Sequence, residues 1–279
     1  MTPQADLGIF AVSVCAGLIG ALAGVGGGIL VIPALTTFFG VDIHLAVGAS
    51  IVSVIATSSG AASAYVRDRL ADMRIGMFLE LATTTGAVCG ALLAAVVQPA
   101  FLYLLLGVVV LMSASLQVAR LGEEVPTNEP NALATHLKLA STYPDRYLGR
   151  EVPYSARRIP FGFVVMWLAG AVSGLLGIGS GALKVLAMDG AMRLPMKVSS
   201  ATSNFMIGVT AAASAGIYIG RGDVDPRIAG PVALGVLAGA LTGARLLHRV
   251  SNRSVRFVFL PVLVAVGLEM LGRGLGLAV

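Results

Sequence analysis

Gly24-Val25-Gly26-Gly27-Gly28-Ile29-Leu30-Val31-Ile32-Pro33 lies inside an apolar stretch that runs from residue 7 to residue 39. A single helix over that stretch would reach roughly 50 Å at about 1.5 Å per residue, against a hydrocarbon core of about 30 Å. The stretch therefore has to break. Glycines relax a helix and admit turn conformations, which puts the break at residues 24–28. The second overlong stretch, residues 159–192, is interrupted in the same way by Gly177-Ile178-Gly179-Ser180-Gly181. Each stretch reads as a helix, a Gly-rich reversal and a short second helix returning toward the starting face. Non-helical backbone at that depth is tolerated only when buried in protein or lining a wet cavity.

The rest of the chain fits this reading. Of 279 residues 57% are hydrophobic and only 12% charged, and the mean hydropathy is +0.89. Six further apolar runs cover residues 45–65, 75–97, 101–119, 198–219, 228–247 and 257–271. A soluble domain of any size is excluded, and the expectation is a multi-pass protein of the cell (plasma or inner) membrane. The net charge of +5 is a matter of orientation in such a protein and carries no case for nucleic acid. Cys15 and Cys89 sit in apolar runs with no metal spacing and read as packing residues. Met1 to Asp6 holds no Lys or Arg, so the first apolar run is expected to be a structural helix and not a cleavable signal.

Sliding the chain against itself by 153 residues places Gly17, Gly24, Gly26 and Gly28 on Gly170, Gly177, Gly179 and Gly181. Without a gap, Ser50, Thr57, Tyr65, Asp72 and Arg74 then fall on Ser203, Thr210, Tyr218, Asp225 and Arg227. Glycine matches are cheap in so apolar a chain, but the Ser, Tyr, Asp and Arg matches are not, and they indicate an internal duplication. With each long stretch folded as a hairpin, each half crosses the membrane an odd number of times and the second half is inverted. One face then carries 14 of the 19 Lys and Arg, and the other holds Arg221, Arg227 and Arg273. A single crossing per long stretch gives the weaker bias of twelve against five, so the inverted arrangement is favoured. It places both termini outside and the polar segment 120–158 in the cytoplasm. The expected fold is an all-α polytopic membrane protein, one transmembrane transporter domain over residues 1–279. It comprises two inverted repeats, 7–119 and 159–272, each a Gly-rich broken-helix hairpin followed by three transmembrane helices, joined by the connector 120–158.

With its paired GxGxG segments, Pro33 after the first, and Ala201-Thr202-Ser203-Asn204-Phe205-Met206-Ile207-Gly208 after the second, the chain resembles the sulfite exporter TauE/SafE family over nearly its whole length. The resemblance implies a permease for sulfite, sulfonates or related sulfur-containing anions. The second copy departs from the first, with Ser180 for Gly27, Lys184 for Val31 and Leu186 for Pro33.

A short helix starting after Gly28 or Gly181 presents unpaired N–H groups, equivalent to about half a positive charge, at membrane depth. Broken helices in transporters hold anionic groups in this way. The substrate-binding candidates are therefore Gly26, Gly27 and Gly28 in one tip and Gly179, Ser180 and Gly181 in the other. Lys184 joins them as an intramembrane cation, with snorkelling or pairing to Asp189 as its alternative. Ser50, Ser203 and Asn204 are added because their hydroxyl and amide donors suit a sulfonate or sulfite oxygen. For the glycines the alternative is close helix packing, since Gly24xxxGly28 and Gly177xxxGly181 are small-xxx-small patterns. For the hydroxyls it is interhelical hydrogen bonding. Glu80 reads as a carboxylate near the cytoplasmic end of its span, solvated or paired, with proton coupling as the other reading.

No enzyme motif stands out. Gly177xGly179xxAla182 imitates a dinucleotide fingerprint but follows no strand, and His44, His136 and His248 are scattered. No catalytic residue, cofactor or metal is implied. The expected function is a secondary transporter of a small anion by alternating access, with a passive anion channel as the alternative. The partners are that anion and the lipid bilayer, with a coupling proton or sodium ion and a homo-oligomer left open.

Overall fold

The computed structural model describes residues 3–23, 27–67, 71–119, 132–137, 139–145, 150–179, 181–247 and 252–277. The first half contains helices α1 (Pro3–Ala23), α2 (Gly28–Phe38), α3 (Ile43–Arg67), α4 (Met73–Leu93) and α5 (Pro99–Ala119). A short helix α6 (Ala132–His136) and strands β1 (Ala140–Asp145) and β2 (Arg150–Ser155) follow. The second half contains α7 (Ile159–Leu176), α8 (Gly181–Leu186) running into a π-helical turn at Ala187–Ala191, α9 (Met196–Arg221), α10 (Pro226–Leu247) and α11 (Asn252–Gly274). The 153-residue offset carries the starts of α2, α3, α4 and α5 onto those of α8, α9, α10 and α11. Part of the cause is local. The Asp72 carboxylate accepts from the N–H groups of Arg74 and Ile75 as the N-cap of α4, and Asp225 accepts from the N–H of Arg227 at the start of α10. The repeated Asp and Arg thus mark equivalent helix starts.

Both long apolar stretches fold back. A Cβ added to Gly8 would stand 3.1 Å from the Phe39 ring, and one added to Gly27 would stand 3.4 Å from the Gly17 Cα, so α2 returns antiparallel along α1. In the second half a Cβ on Gly162 would run into Met192, which returns α8 and its π turn along α7. The chain leaves α7 through Gly177, whose φ of 62° glycine adopts without the steric cost a side chain would bring.

The helices exchange partners between halves: α1 packs on α10 and α4 packs on α7, while α3 meets α9 and α5 meets α11. Residue pairings fix the directions. Gly48 approaches Asp223 and Gly208 approaches Ser58, so α3 and α9 are antiparallel, and Gly107 with Leu271 and Gly274 with Leu104 make α5 and α11 antiparallel too. Where α4 crosses α7, a Cβ on Gly86, Gly90, Gly170 or Gly174 would come within 2.2 Å of a carbonyl of the facing helix. Small residues that let backbones touch are the device of helix pairing in lipid. Large apolar side chains lie outward instead, Leu81, Val164, Leu168, Leu234 and Leu241 being more than half exposed. Cys15 and Cys89 correct the sequence reading: both are exposed rather than packed inside.

The connector is more than a linker. β1 and β2 pair antiparallel, with Thr142 opposite Pro153 and Tyr143 opposite Val152. Tyr143 and Tyr154 bury their rings in a cluster with Ile75 and Leu79 of α4, Met166 of α7 and Met188 and Met192 beyond α8. The Tyr154 hydroxyl donates to the Asp72 carboxylate at 2.6 Å. Burial, reinforced by that carboxylate, pushes the phenol well above its ordinary pKa. The contribution is therefore complete below the unfolded value of about 10 and is lost as pH rises through the folded one. Tyr154→Phe is expected to weaken docking of the ribbon by about 1.5–3 kcal/mol, a hydrogen bond to a charged group. Faster proteolytic cleavage within 132–155, with α-helical content unchanged, is the measurement that checks it.

Candidate functional site

The two Gly-rich tips meet. A Cβ on Gly28 would lie 3.6 Å from the Ile178 Cα, so the first tip touches the reversal of the second. Ser50 of α3 sits between them, its hydroxyl directed at the carbonyl of Gly177 (2.9 Å) and that of Gly28 (3.3 Å). Its repeat equivalent Ser203 donates to the carbonyl of Gly181 at 3.1 Å, the counterpart of Gly28. Matching residues thus build both tips: Gly28 against Ser50 and Val54, and Gly181 against Ser203 and Ile207. Gly179, at φ 74°, places its α-carbon where an added Cβ would meet Ile207 and Val54 together.

Beyond the second tip lies a buried polar network. Lys184, one turn into α8, is fully buried. Its Nζ donates a short hydrogen bond to the Thr210 hydroxyl of α9. Thr210 lies 2.7 Å from Glu80 Oε1 of α4, and Thr84 donates to the same oxygen at 2.9 Å. Glu80 is 6% exposed, and its Oε2 is buried without a hydrogen-bond partner among the described residues. One cation and one carboxylate therefore share a hydroxyl deep in the bundle, an arrangement that hydrogen bonds must support because both ions are desolvated. The π turn at Ala187–Ala191 follows directly, a departure that often marks functional positions in helices. The repeat-related place is apolar, with Val31 for Lys184 and Ala233 for Glu80, while Thr57 keeps the hydroxyl of Thr210. Both charges belong to one copy only.

Measured against the sequence expectations, Gly28, Gly179, Gly181, Ser50 and Ser203 are brought together at the meeting of the tips. Gly27 lies beside them but faces α10, where an added Cβ would strike Val236. Gly26 and Ser180 lie outside the described residues. The hydroxyl protons of Ser50 and Ser203 are engaged with tip carbonyls, the interhelical alternative named for them. Asn204 donates to Ser200 on its own helix at 3.0 Å. Of the two alternatives named for Lys184, snorkelling is corrected, since a fully buried ammonium on Thr210 does not reach the interface. The sequence reads Glu80 as solvated or paired, with proton coupling as its other reading, and the structure buries it; Thr210 carries no role there beyond its equivalence to Thr57. The available sign was that Glu80 is the only acidic residue between positions 73 and 122, and its nearness to the span's end disguised it as solvated.

The family profile described as "Sulfite exporter TauE/SafE" matches residues 9–270. The chain belongs to the TauE/SafE family. Among curated relatives, the Probable membrane transporter protein YunE of Bacillus subtilis (strain 168) is 26% identical over 268 residues, covering 93% of this chain and 95% of that protein. The Probable membrane transporter protein YdhB of the same organism is 28% identical over 249 residues, 87% of this chain and 91% of that one. No solved structure matches the chain. As a TauE/SafE protein the chain is a membrane transporter, and both tips, the connector and the Lys184 network fall inside the match.

Proposed function

We propose that this membrane transporter is a secondary carrier of a small sulfur-containing anion, sulfite or an organosulfonate, held between the two Gly-rich tips. The observation that carries the proposal is the meeting of Gly28 with Ile178, together with a buried lysine one turn into the helix that follows. The helix that starts at Gly28 directs N–H groups toward that meeting point, and Lys184 supplies the full positive charge that backbone dipoles lack. The family description points the same way for the substrate, through its reference to sulfite export.

Alternating access is the motion that the arrangement of the halves supports. Equivalent helices α3 and α9, and equivalent helices α5 and α11, run antiparallel, which supports an inverted repeat with its axis in the membrane plane. Rocking one half against the other then opens the tips to either side in turn. The Lys and Arg tally supports a plasma-membrane orientation with the connector in the cytoplasm and both termini outside. After removal of Cys15 and Cys89, labelling of intact cells is expected to modify a cysteine at the C-terminus and spare Ser141→Cys in β1. The opposite pattern overturns the orientation.

The functional test is flux of sulfite, thiosulfate, methanesulfonate and acetate into proteoliposomes, with and without a proton gradient. Saturable uptake of sulfur anions driven by a gradient is expected. Uptake that never saturates and ignores the gradient identifies a passive anion channel instead.

A further inference from the structure

Building on the carrier reading, we infer that Glu80 binds the coupled proton, and that a proton on Glu80 and an anion at Lys184 bind cooperatively, one for one. The geometry divides the carboxylate into two unlike oxygens. Oε1 sits against the Thr84 and Thr210 hydroxyls, whereas Oε2 is buried without a partner among the described residues. A proton added to Oε2 gives that atom a neutral form suited to its dry surroundings and leaves the hydroxyl contacts at Oε1 in place.

Among the described residues, Lys184 is the cation joined to this carboxyl, through the Thr210 hydroxyl, and Asp189 lies in the π turn that follows α8. Helix α7 contains no ionisable side chain from Ile159 to Leu176. Helix α9 contributes Thr210 at the network and carries its charges, Lys197 and Arg221, in its end turns. On α4 itself Arg74 lies in the first turn and Cys89 two turns beyond Glu80, exposed. With Glu80 ionised, the ammonium of Lys184 is balanced and an incoming anion meets a carboxylate. With Glu80 protonated, the network carries one uncompensated positive charge, which a monovalent anion neutralises. The proton comes from the solution on the side where the site is open and is released with the anion on the other, so each cycle of this symport moves no net charge. The apolar replacement of both charged residues, Val31 and Ala233, at the repeat-related place fits a pair that works as a unit.

Methanesulfonate is the probe, because its own charge does not change with pH. Adding it to purified protein in weakly buffered detergent is expected to draw about one proton from solution per anion bound. Its affinity should rise by up to about tenfold per pH unit as pH falls, then level off. Glu80→Gln, which keeps an oxygen for the two threonines and removes the proton site, should bind at the level of that plateau at every pH and take up no proton. Glu80→Asp provides a titrating variant should the glutamine protein fold poorly, and is expected to keep proton uptake. Anion binding by the wild type with flat pH dependence and no proton uptake overturns the coupling and leaves the carrier reading intact. Persistence of the pH slope in Glu80→Gln also overturns it. If neither methanesulfonate nor sulfite binds the wild type at any pH, the carrier reading fails, and this inference with it.

Discussion

Lys184→Met is expected to weaken anion binding at least tenfold, about 1.4 kcal/mol, and to lower the stability of the protein as well. The two effects have different causes. Binding falls because the site loses its full positive charge. Stability falls because Glu80, 6% exposed, is left as a buried carboxylate beside two threonine hydroxyls with no cation near it. Removing one partner of a buried ion pair costs about 3–5 kcal/mol, whereas replacing both is often close to neutral. The double variant Lys184→Met with Glu80→Gln is therefore expected to regain most of the lost melting temperature without regaining binding. Thermal unfolding with and without sulfite reads both quantities in one experiment. A well-folded Lys184→Met protein with unchanged affinity removes Lys184 from the site and leaves it a packing residue.

How much of this was legible beforehand depends on what kind of information each feature rests on. The hairpins were readable because chain length and bilayer thickness conflict over residues 7–39 and 159–192, a constraint that needs no tertiary knowledge. Helix starts at Met73 and Pro226 were implicit in the repeated Asp and Arg, although their role as caps shows only in the hydrogen bonds. The Lys184 network was half legible. A lysine inside an apolar span draws attention at once, but its partner is separated from it by 104 residues, a relation set by the packing of α4 on α9 rather than by any local spacing. The segment 120–158 reads as a polar connector, and nothing in its composition announces the pairing of β1 with β2. Pro144 and Pro153 are tolerated because a two-stranded ribbon leaves edges where a missing N–H costs little. Ser50 and Ser203 fall on one another under the 153-residue offset, and their hydroxyls do hold equivalent places against the two tips. What sequence could not give is where their protons point, toward tip carbonyls.

Gly28→Leu and Gly181→Leu are expected to produce the same defect from opposite halves of the chain. At Gly28 a new Cβ would stand 2.6 Å from Val54 Cγ2 and 2.8 Å from the Ser50 hydroxyl. At Gly181 it would stand 2.7 Å from Ile207 Cδ1 and 3.8 Å from the Ser203 hydroxyl. At Gly28 both contacts are too short, and at Gly181 the end of Ile207 must give way before the rest of a leucine finds room, so at either tip the leucine displaces the tip or the side chains that support it. Overpacking of this kind costs about 1–3 kcal/mol. The shift also separates the serine from the carbonyl it holds, and it carries the leucine toward the space where the tips meet. Each variant should therefore lose at least tenfold in sulfite affinity in addition to its lower melting temperature. Gly216→Leu provides the comparison, because an added Cβ there meets nothing within 4 Å, and it should leave both quantities near the parent's values. The decisive readout is the sulfite concentration that raises the melting temperature, since a glycine that only lets helices approach shifts the melting point without shifting that concentration. If Gly28→Leu and Gly181→Leu both melt early yet respond to sulfite at the parent's concentration, the anion does not sit between the tips and these glycines serve packing alone. If only one of the two loses affinity, the site is built from one half, and the repeat does not serve shared recognition.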